Sequence, residues 1–332
     1  MNKLRLNFLL YIWILLFRNF ILTMRRGILM DSVKFAVFTD LHYDHIHDGY
    51  ERLENFITNV KNQDIDFVIQ LGDFCMPKEE NRFLLDILDS IGKPYYHTIG
   101  NHDSDSFPRE EVMKFLKMDN SYYSFKMDKI KFIVLDTCFI KTDNGYIPYC
   151  KRNYDKSKDI YPILPDYEFN WLEEQFNDDS EYYIIFSHHS FENEFAKRGV
   201  YNKGEVRDLI NRVNDTGKKV LLCVNGHDHG DSLEKIGQTY YFGLNAMSYI
   251  WVGPEYEHFS YSKEIHEDYP FLKDLVLYNE GLYAIVTINK DGGIHIQGIN
   301  GSYQNVTPKD LGIGDRWNGR SILPRVSSLK DI

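Results

Sequence analysis

Short apolar runs alternate along the chain with longer stretches that have helical spacing. Five runs are almost continuously apolar or β-branched, as is typical of strands buried on both faces. They are 33–38, 67–69, 95–99, 182–186 and 220–224. Elsewhere apolar residues recur every three or four positions, which predicts helices with one buried face. These stretches are 49–62, 81–91, 167–176 and 203–213. The alternation predicts an α/β protein.

Turn signals add details to this outline. Pro108 followed by Arg109, Glu110 and Glu111 is typical of a first helical turn. Residues 121–125 and 130–135 predict a hairpin, because only four polar-rich residues separate the two strand-like segments. Residues 282–288 and 293–298 predict a second hairpin, since the turn-forming sequence Asn-Lys-Asp-Gly connects them.

A polar motif follows each of the five apolar runs. In chain order these motifs are Asp40-Leu41-His42, Gly72-Asp73, Gly100-Asn101-His102-Asp103, His188-His189 and Gly226-His227-Asp228-His229. Loops at the carboxyl ends of strands are where α/β folds gather functional groups, so the five motifs are expected to meet. Carboxylate, imidazole and amide ligands suit Mn, Fe or Zn, and a shared carboxylate can hold two such ions close together. The sequence therefore predicts a site for two divalent metal ions.

The five motifs, in this order, resemble the D-x-H, G-D, G-N-H-D/E, H and G-H-x-H motifs of calcineurin-like metallophosphoesterases. The resemblance extends from about residue 33 to roughly residue 300. It implies a four-layer αββα sandwich of two mixed β-sheets flanked by helices, with the metal site at the carboxyl ends of strands. It also implies the ligands of each metal ion. One ion would be held by Asp40, His42, Asp73 and His229, and the other by Asp73, Asn101, His188 and His227.

The same resemblance implies hydrolysis of a phosphate ester by a hydroxide that bridges the two metals and attacks phosphorus in line. His102 would contact the phosphoryl group and stabilise or protonate the leaving oxygen, and Asp103 is expected to orient the His102 imidazole. The alternative is a catalytically silent scaffold that keeps the fold for protein–protein binding. Loss of His102 or of the bridging ligand would be typical of such a scaffold, and both residues are present.

Other residues near the motifs are interpreted more simply. We expect His189 to be a neighbour of the metals rather than a ligand, and Asp228 to be a turn or rim residue. His45 and His47 are expected to lie in a solvated loop. Cys75 is expected to pack passively, and none of the four cysteines forms a C-x-x-C pair that would indicate an oxidising compartment or a redox role.

Two longer segments, 141–165 and 246–271, lack strong periodicity and are expected to be insertions at the substrate rim. Both are rich in aromatic residues, which can stack on a nucleobase or sugar, although sealing the sheet edges is the better explanation for most of them. The sequence Trp-Leu-Glu-Glu at 171–174 resembles a helix of cyclic-nucleotide phosphodiesterases and purple-acid-phosphatase-like proteins. That resemblance does not choose among monoester, cyclic diester and nucleoside-diphosphate substrates.

The net charge of the chain is −11, which argues against a basic surface for nucleic acid. A small phosphate ester remains compatible with this charge, because the metals supply local positive charge. The composition leaves the oligomeric state open. A length of 332 residues suits a single α/β domain, which we expect over 30–332.

The amino terminus, 1–29, is a hydrophobic leader with three interpretations. Its apolar stretch at 8–17 is shorter than the roughly 20 residues of a spanning helix. It has the outline of a signal sequence, but no small-x-small cleavage site follows it. The codons of Arg25, Arg26 and Gly27 can form a purine-rich ribosome-binding sequence upstream of Met30. We favour translation from Met30 and a cytoplasmic protein, with a membrane anchor or export as the alternative.

Overall fold

Two six-stranded sheets form the centre of the protein, as seen in a computed structural model that describes residues 32–158 and 160–331. The leader at 1–29 and Met30 lie outside the described residues. In spatial order, the first sheet contains β18 (Leu329–Asp331), β15 (Ile294–Gly298), β14 (Ala284–Asn289), β1 (Ser32–Phe38), β2 (Phe67–Gln70) and β3 (Tyr95–His97). The second contains β10 (Ser232–Ile236), β11 (Thr239–Gly243), β9 (Lys219–Asn225), β8 (Tyr182–Ser187), β5 (Ile130–Val134) and β4 (Tyr123–Met127).

Both sheets are mixed. In the first sheet β1, β2 and β3 run parallel, whereas β14, β15 and β18 pair antiparallel. In the second sheet β5, β8, β9 and β11 run parallel, and β4 and β10 add antiparallel edges. The five strands that precede the polar motifs are β1, β2, β3, β8 and β9, so the predicted strands are confirmed. Because parallel strands end at the same edge of a sheet, their motifs are brought together.

Aromatic side chains fill the space between the sheets. Phe35 of β1 stacks on Phe67 of β2 with ring centroids 4.9 Å apart. The same Phe35 ring meets Phe132 of β5 and Phe186 of β8 edge-on, at 5.8 and 5.6 Å. All four rings are completely or almost completely buried. Side chains alternate along a strand, so the next positions of β1 face the helices instead.

Six helices, all within the described residues, have the following bounds. They are α1 (Gly49–Lys61), α2 (Phe83–Asp89), α3 (Arg109–Phe115), α4 (Asp166–Gln175), α5 (Lys203–Asp215) and α6 (Lys263–Asp268). The apolar faces of α1, α2 and α3 share one hydrophobic cluster with β1 and β2. Those of α4 and α5 share another with β5, β8 and β9. The expected four-layer αββα sandwich is therefore confirmed, as are both hairpins, β4–β5 and β14–β15.

The two expected rim segments contain more regular structure than their sequences indicated. In the first, β6 (Phe139–Thr142) pairs with β7 (Gly145–Pro148) as a hairpin. In the second, β12 (Tyr249–Trp251) is followed by α6, and it pairs with β13 (Leu275–Leu277), which lies just after the segment. The prediction missed these strands because they are only three or four residues long, too short for a periodic pattern. No helix among residues 32–158 and 160–331 is long and apolar enough to cross a bilayer.

Candidate metal centre and its cavity

Five of the seven expected ligand residues have a left-handed backbone conformation. Their φ angles are 53° for Asp40, 47° for His42, 53° for Asp73, 68° for His227 and 49° for His229. Such angles are uncommon for residues other than glycine, and they cluster at functional sites that the surrounding structure stabilises. Here hydrogen bonds hold the turns, since Asp40 Oδ2 accepts from Thr39 Oγ1 at 2.6 Å and from the His227 N–H at 3.0 Å. The strands thus end in sharp turns whose side chains converge.

Two glycines of the motifs allow the loops to pack in direct contact. A β-carbon on Gly100 would collide with the backbone and carboxylate of Asp73. One on Gly226 would collide with Thr39 and with the Asp40 carboxylate. The glycines of G-N-H-D and G-H-x-H are therefore required by the close approach of neighbouring motifs.

One group of donor atoms has the spacing of a metal coordination shell. His229 Nε2 lies 3.2 Å from Asp40 Oδ1 and 3.2 Å from His42 Nε2. His42 Nε2 lies 3.7 Å from Asp40 Oδ1 and 3.5 Å from Asp73 Oδ2. Tetrahedral ligands at bonds of about 2.1 Å would be about 3.4 Å apart. Asp40 Oδ1 is buried and has no hydrogen-bond partner among the described residues, as expected for an oxygen atom that binds a metal ion.

A second group adjoins the first through Asp73. Oδ2 of Asp73 lies 3.2 Å from His188 Nε2, which in turn lies 3.1 Å from Asn101 Oδ1. A ring nitrogen of His227 lies within 4.8 Å of one of His188 and one of His189. The residues expected from sequence to hold two metals are thus brought together, and their donor set of nitrogen and oxygen suits Mn, Fe or Zn.

Hydrogen bonds fix the direction of two imidazoles. The Nδ1 atoms of His188 and His229 lie 2.8 Å from the carbonyl oxygens of Leu71 and Tyr249, to which an Nδ1–H group donates. With Nδ1 occupied in this way, Nε2 remains as the ligand atom of each ring.

The two carboxylates expected to bind metal, Asp40 and Asp73, stay ionised. Burial by itself raises the pKa of Asp73, but the neighbouring imidazoles of His188 and His102 outweigh it and hold that pKa below its usual value. The pKa of Asp40 is likewise lowered, since His229 and His42 outweigh the effect of burial. Two anionic carboxylates at 2% exposure or less are therefore available to a cation.

The partner of His102 differs from the expected one. Oδ2 of Asp105 lies 2.7 Å from His102 Nδ1, whereas Asp103 accepts hydrogen bonds from the backbone N–H groups of Asp73, Phe74 and Gly100 at 3.1, 2.8 and 2.8 Å. The expectation that Asp103 orients His102 is thus wrong. The reason is local: residues 102–104 form a 3₁₀ turn, which places residue 105 rather than 103 beside the ring.

Asp105 also contacts two further side chains. Its Oδ1 accepts from the Tyr149 hydroxyl at 2.7 Å, and its Oδ2 lies 3.1 Å from Arg152 Nε. Burial lowers the pKa of His102, but Asp73 and the hydrogen bond to Asp105 outweigh it and raise that pKa above its ordinary value. The His102 ring is therefore held in place with a tendency to carry a proton.

Two further expectations are corrected. His45 is not solvated but 7% exposed, and its ring stacks on that of His42 with centroids 5.1 Å apart. Asp228 lies in the turn of the last motif, as expected, but not at the rim: it is 2% exposed and accepts from Arg198, Asn193 and Arg320. The expectation that Cys75 is buried holds. That His189 is a neighbour rather than a ligand stays a prediction; its Nδ1 lies 3.0 Å from Thr137 Oγ1.

A cavity of about 320 Å³ opens directly over these residues. The metal-centre residues Asp73, His42, His227 and His229 form its floor, together with His102. The segment 141–165 contributes Tyr149, Arg152 and Tyr154, and the segment 246–271 contributes Tyr249 and Trp251. Arg198, Asn318 and His45 complete the lining. A volume of this size is in the range of small-molecule sites.

Sequence reasoning missed three contributors to this site. Asp105 stands three residues after His102, a spacing that could have indicated a helical-turn pair. Arg198 and Asn318 follow no motif and lie far apart in sequence, so no local signal identified them.

The chain belongs to the calcineurin-like phosphoesterases, whose family model matches residues 33–231. It is accordingly a metallophosphoesterase, a hydrolase of phosphate esters that uses a pair of divalent metal ions.

A curated relative is the manganese-dependent ADP-ribose/CDP-alcohol diphosphatase of Arabidopsis thaliana. It is 26% identical over 251 residues, which are 59% of this chain and 79% of that protein. Among solved structures, a dimetal phosphatase from Danio rerio superposes with a TM-score of 0.55 at 15% identity, covering 82% of this chain and 96% of the other. A purple acid phosphatase from yellow lupin gives a TM-score of 0.50 at 12% identity, covering 85% of this chain and 55% of the other. Both superpositions show a shared fold.

Proposed function

We propose that the enzyme hydrolyses a small phosphate ester by in-line attack of water on phosphorus at the floor of the cavity. One metal would be held by Asp40, His42, Asp73 and His229. The other would be held by Asp73, Asn101, His188 and His227. Two such ions, when bound, lower the pKa of a coordinated water to about 7 and neutralise charge on the phosphoryl oxygens.

The observation that carries this proposal is the shared carboxylate. Asp73 Oδ2 lies 3.5 Å from His42 Nε2 on one side and 3.2 Å from His188 Nε2 on the other. A single carboxylate between two sets of donors is the arrangement that places two metals close enough to act on one phosphoryl group. A structural ion pair would explain one of these contacts but gives no reason for both.

His102 is placed to act on the leaving group. Its backbone N–H donates to Asp73 Oδ1 at 2.7 Å, which fixes the residue beside the metal centre. Because Nδ1 faces Asp105, Nε2 is the atom that can donate a proton to the departing oxygen. Asp105 is a positioning residue that keeps this direction and favours the protonated ring.

Manganese is the metal we propose first. The mixed nitrogen and oxygen donors accept Mn, Fe or Zn, and the Arabidopsis thaliana relative is manganese-dependent. That relative is also a diphosphatase of small molecules, which favours a small-molecule substrate for this enzyme.

A reconstitution assay tests the proposal. Protein stripped by a chelator is reloaded with Mn, Fe, Zn or Mg and given phosphomonoesters, phosphodiesters and nucleoside-diphosphate compounds. We expect activity with Mn and uptake of two ions per chain by elemental analysis. Binding of one ion or none, or turnover that is equal in chelator-treated and reloaded protein, would contradict the proposal.

A further inference from the structure

We propose that Arg152 and Arg198 form a subsite for a second phosphoryl group, so that the preferred substrates are diphosphates linked to a nucleoside or another aromatic group. The inference rests on the proposed function, since it concerns the same cavity. It goes further by naming the residues that would select the substrate class, and these residues lie outside the metal-binding motifs.

Arg198 is anchored beside the metal centre with part of its guanidinium left for a ligand. Its Nε donates to Asp228 Oδ1 at 2.9 Å and its Nη2 to the carbonyl oxygen of His227 at 3.1 Å. Nη1 has no hydrogen-bond partner in the described part of the chain. The side chain is 19% exposed, and it lines the cavity. A guanidinium held through two of its nitrogens loses little freedom when the third binds an anion.

Asp228 itself is held by a segment near the carboxyl terminus. A short hairpin, β16 (Arg316–Trp317) with β17 (Arg320–Ser321), brings Arg320 to Asp228 Oδ2 at 3.1 Å and to Glu192 Oε1 at 2.5 Å. Arg320 is 3% exposed. The hairpin therefore sets the position of Arg198 through Asp228. It also places Asn318 on the cavity wall.

Arg152 supplies the second cation. Its Nε lies 3.1 Å from Asp105 Oδ2, its guanidinium lies 5.9 Å from the centre of the Phe271 ring, and its side chain is 59% exposed. Anchored through Nε, it keeps its two terminal nitrogens for a ligand in the cavity that it lines. Paired terminal nitrogens match the geometry of phosphate oxygens.

Arg152 and Arg198 each use Nε for a carboxylate partner, Asp105 and Asp228, and each keeps terminal nitrogens that one phosphoryl group on the metals would not reach. Among the lining residues of the cavity in the described ranges, Asp73 is the one carboxylate, and that carboxylate belongs to the metal centre. Two divalent ions at the floor would already neutralise the reacting phosphoryl group. A monoester then has no further anionic group that could bind the two guanidiniums on the wall. A diphosphate has one, because its second phosphoryl group can bind them.

The remaining wall favours an aromatic group on the substrate. Four aromatic residues line the cavity, of which Tyr154 and Trp251 are half-buried and able to contact a ligand ring, whereas Tyr149 and Tyr249 are 3% and 1% exposed. The volume of about 320 Å³ exceeds the need of phosphate alone. Aromatic rings stack on bases, which makes a nucleoside a fitting third part of the ligand.

Cleavage of such a compound is a hydrolysis of the bond between the two phosphoryl groups. The oxygen of water forms a bond to one phosphorus, the bond from that phosphorus to the bridging oxygen breaks, and the bridging oxygen leaves on the second phosphoryl group. Both protons of the water remain with the two products or the solvent. Arg152 and Arg198 would neutralise the charge that develops on the leaving phosphoryl group.

Kinetics on paired substrates test the inference. Arg152→Gln and Arg198→Gln are compared with Arg212→Gln, an exposed arginine of α5 outside this cavity. In each variant we measure kcat/KM for ADP-ribose and for p-nitrophenyl phosphate, with metal content as a check on the site. We expect the ratio of diphosphate to monoester kcat/KM to fall about tenfold or more in the first two variants. Arg212→Gln should leave it unchanged. Equal losses on both substrates, or none, would overturn the inference.

A binding measurement keeps the test independent of turnover. Calorimetric titration uses the Mn-loaded His102→Ala protein, in which turnover is slow, and compares ADP with AMP, which differ by one phosphoryl group. We expect ADP to bind about tenfold more tightly than AMP, and this advantage to disappear when Arg198→Gln is added. Equal affinities in the protein with Arg198 intact would reject the subsite. They would leave the proposed function intact, because that proposal depends on metal uptake and on hydrolysis of any phosphate ester.

Discussion

Asp105 Oδ2 lies 2.7 Å from His102 Nδ1, and this contact couples the metal centre to the substrate wall. The same carboxylate binds Tyr149 and Arg152, which both belong to the segment 141–165. A single side chain therefore determines the direction of His102 and the shape of the cavity above it.

Replacement of this carboxylate gives the first prediction. Asp105→Asn should lower kcat about 10–100-fold, the usual cost of removing the partner of an active-site imidazole. Asp103→Asn is the matched control. It should instead lower the free energy of unfolding by roughly 1–3 kcal/mol, because it disturbs three buried backbone hydrogen bonds. Steady-state kinetics and urea unfolding on both variants distinguish these roles. If a well-folded Asp103→Asn lost more kcat than Asp105→Asn, the two roles would have to be exchanged, with Asp103 as the residue that positions His102.

Removal of His102 should separate chemistry from metal binding. His102→Ala keeps the backbone N–H that donates to Asp73, so we expect unchanged metal content. Turnover should fall about 10²–10⁴-fold, the contribution of a positioned general acid. The loss should shrink with p-nitrophenyl esters, whose leaving group needs little protonation. A loss of the same size across a series of leaving groups would indicate charge stabilisation instead.

The shared carboxylate gives a third prediction. Asp73→Asn replaces the anion between the two donor groups with a neutral amide, so metal content and turnover should fall together. Asp89→Asn, which alters an exposed carboxylate 51% accessible to solvent, should change neither. Elemental analysis of each purified variant measures the metals. Full activity with two bound metals in Asp73→Asn would refute the assignment of the bridge.

The buried ion pairs of Arg320 with Asp228 and Glu192 predict that two arginines differ strongly in their contribution to stability. Arg320→Met would leave Glu192 buried without its cation and Asp228 with Arg198 alone, and should lower the free energy of unfolding by about 3–5 kcal/mol. Arg325→Met removes a half-exposed cation 3.7 Å from Asp231, for which we expect about 1 kcal/mol or less. Chemical denaturation monitored by tryptophan fluorescence compares them. Similar losses in both variants would mean that the buried network adds nothing beyond a surface pair.

His97 predicts part of the acid sensitivity of the fold. It is 3% exposed, and burial lowers its pKa to about 3. The unfolded chain has a histidine pKa of about 6.5, so between these values the unfolded state binds one more proton. The contribution of the neutral ring is complete above pH ~6.5 and is lost as the pH falls toward 3, by at most about 1.4 kcal/mol per pH unit.

A variant isolates this contribution. His97→Gln should flatten the dependence of unfolding free energy on pH over that window, whereas His295→Gln, at an exposed position of β15, should not. Urea unfolding at a series of pH values measures both slopes. An unchanged slope in His97→Gln would show that its imidazole is protonated in the folded protein.

The sequence predicted the layers of the fold because buried strands and one-sided helices leave periodic signals. It also predicted that the motif residues would meet, since parallel strands end at one edge. Asp105 was missed because the choice between residues 103 and 105 depends on a turn of one 3₁₀ helix. Arg198 and Asn318 were missed because their positions depend on contacts with residues 30 and 125 positions away in the chain. Short strands such as β6 and β12 carry too few residues for a pattern.

A functional fragment of this protein has to include the hairpin at 316–321. The stretch recognised as the family domain stops at residue 231, and it already contains all seven proposed ligands. A fragment cut there would lack β14, β15 and β18, half of the first sheet. It would also lack Arg320, so the buried Glu192 would lose its counter-charge and Asp228 one of its two arginines. The structural unit that supports the site is therefore longer than the stretch that its motifs define, and it includes Asn318 of the cavity wall.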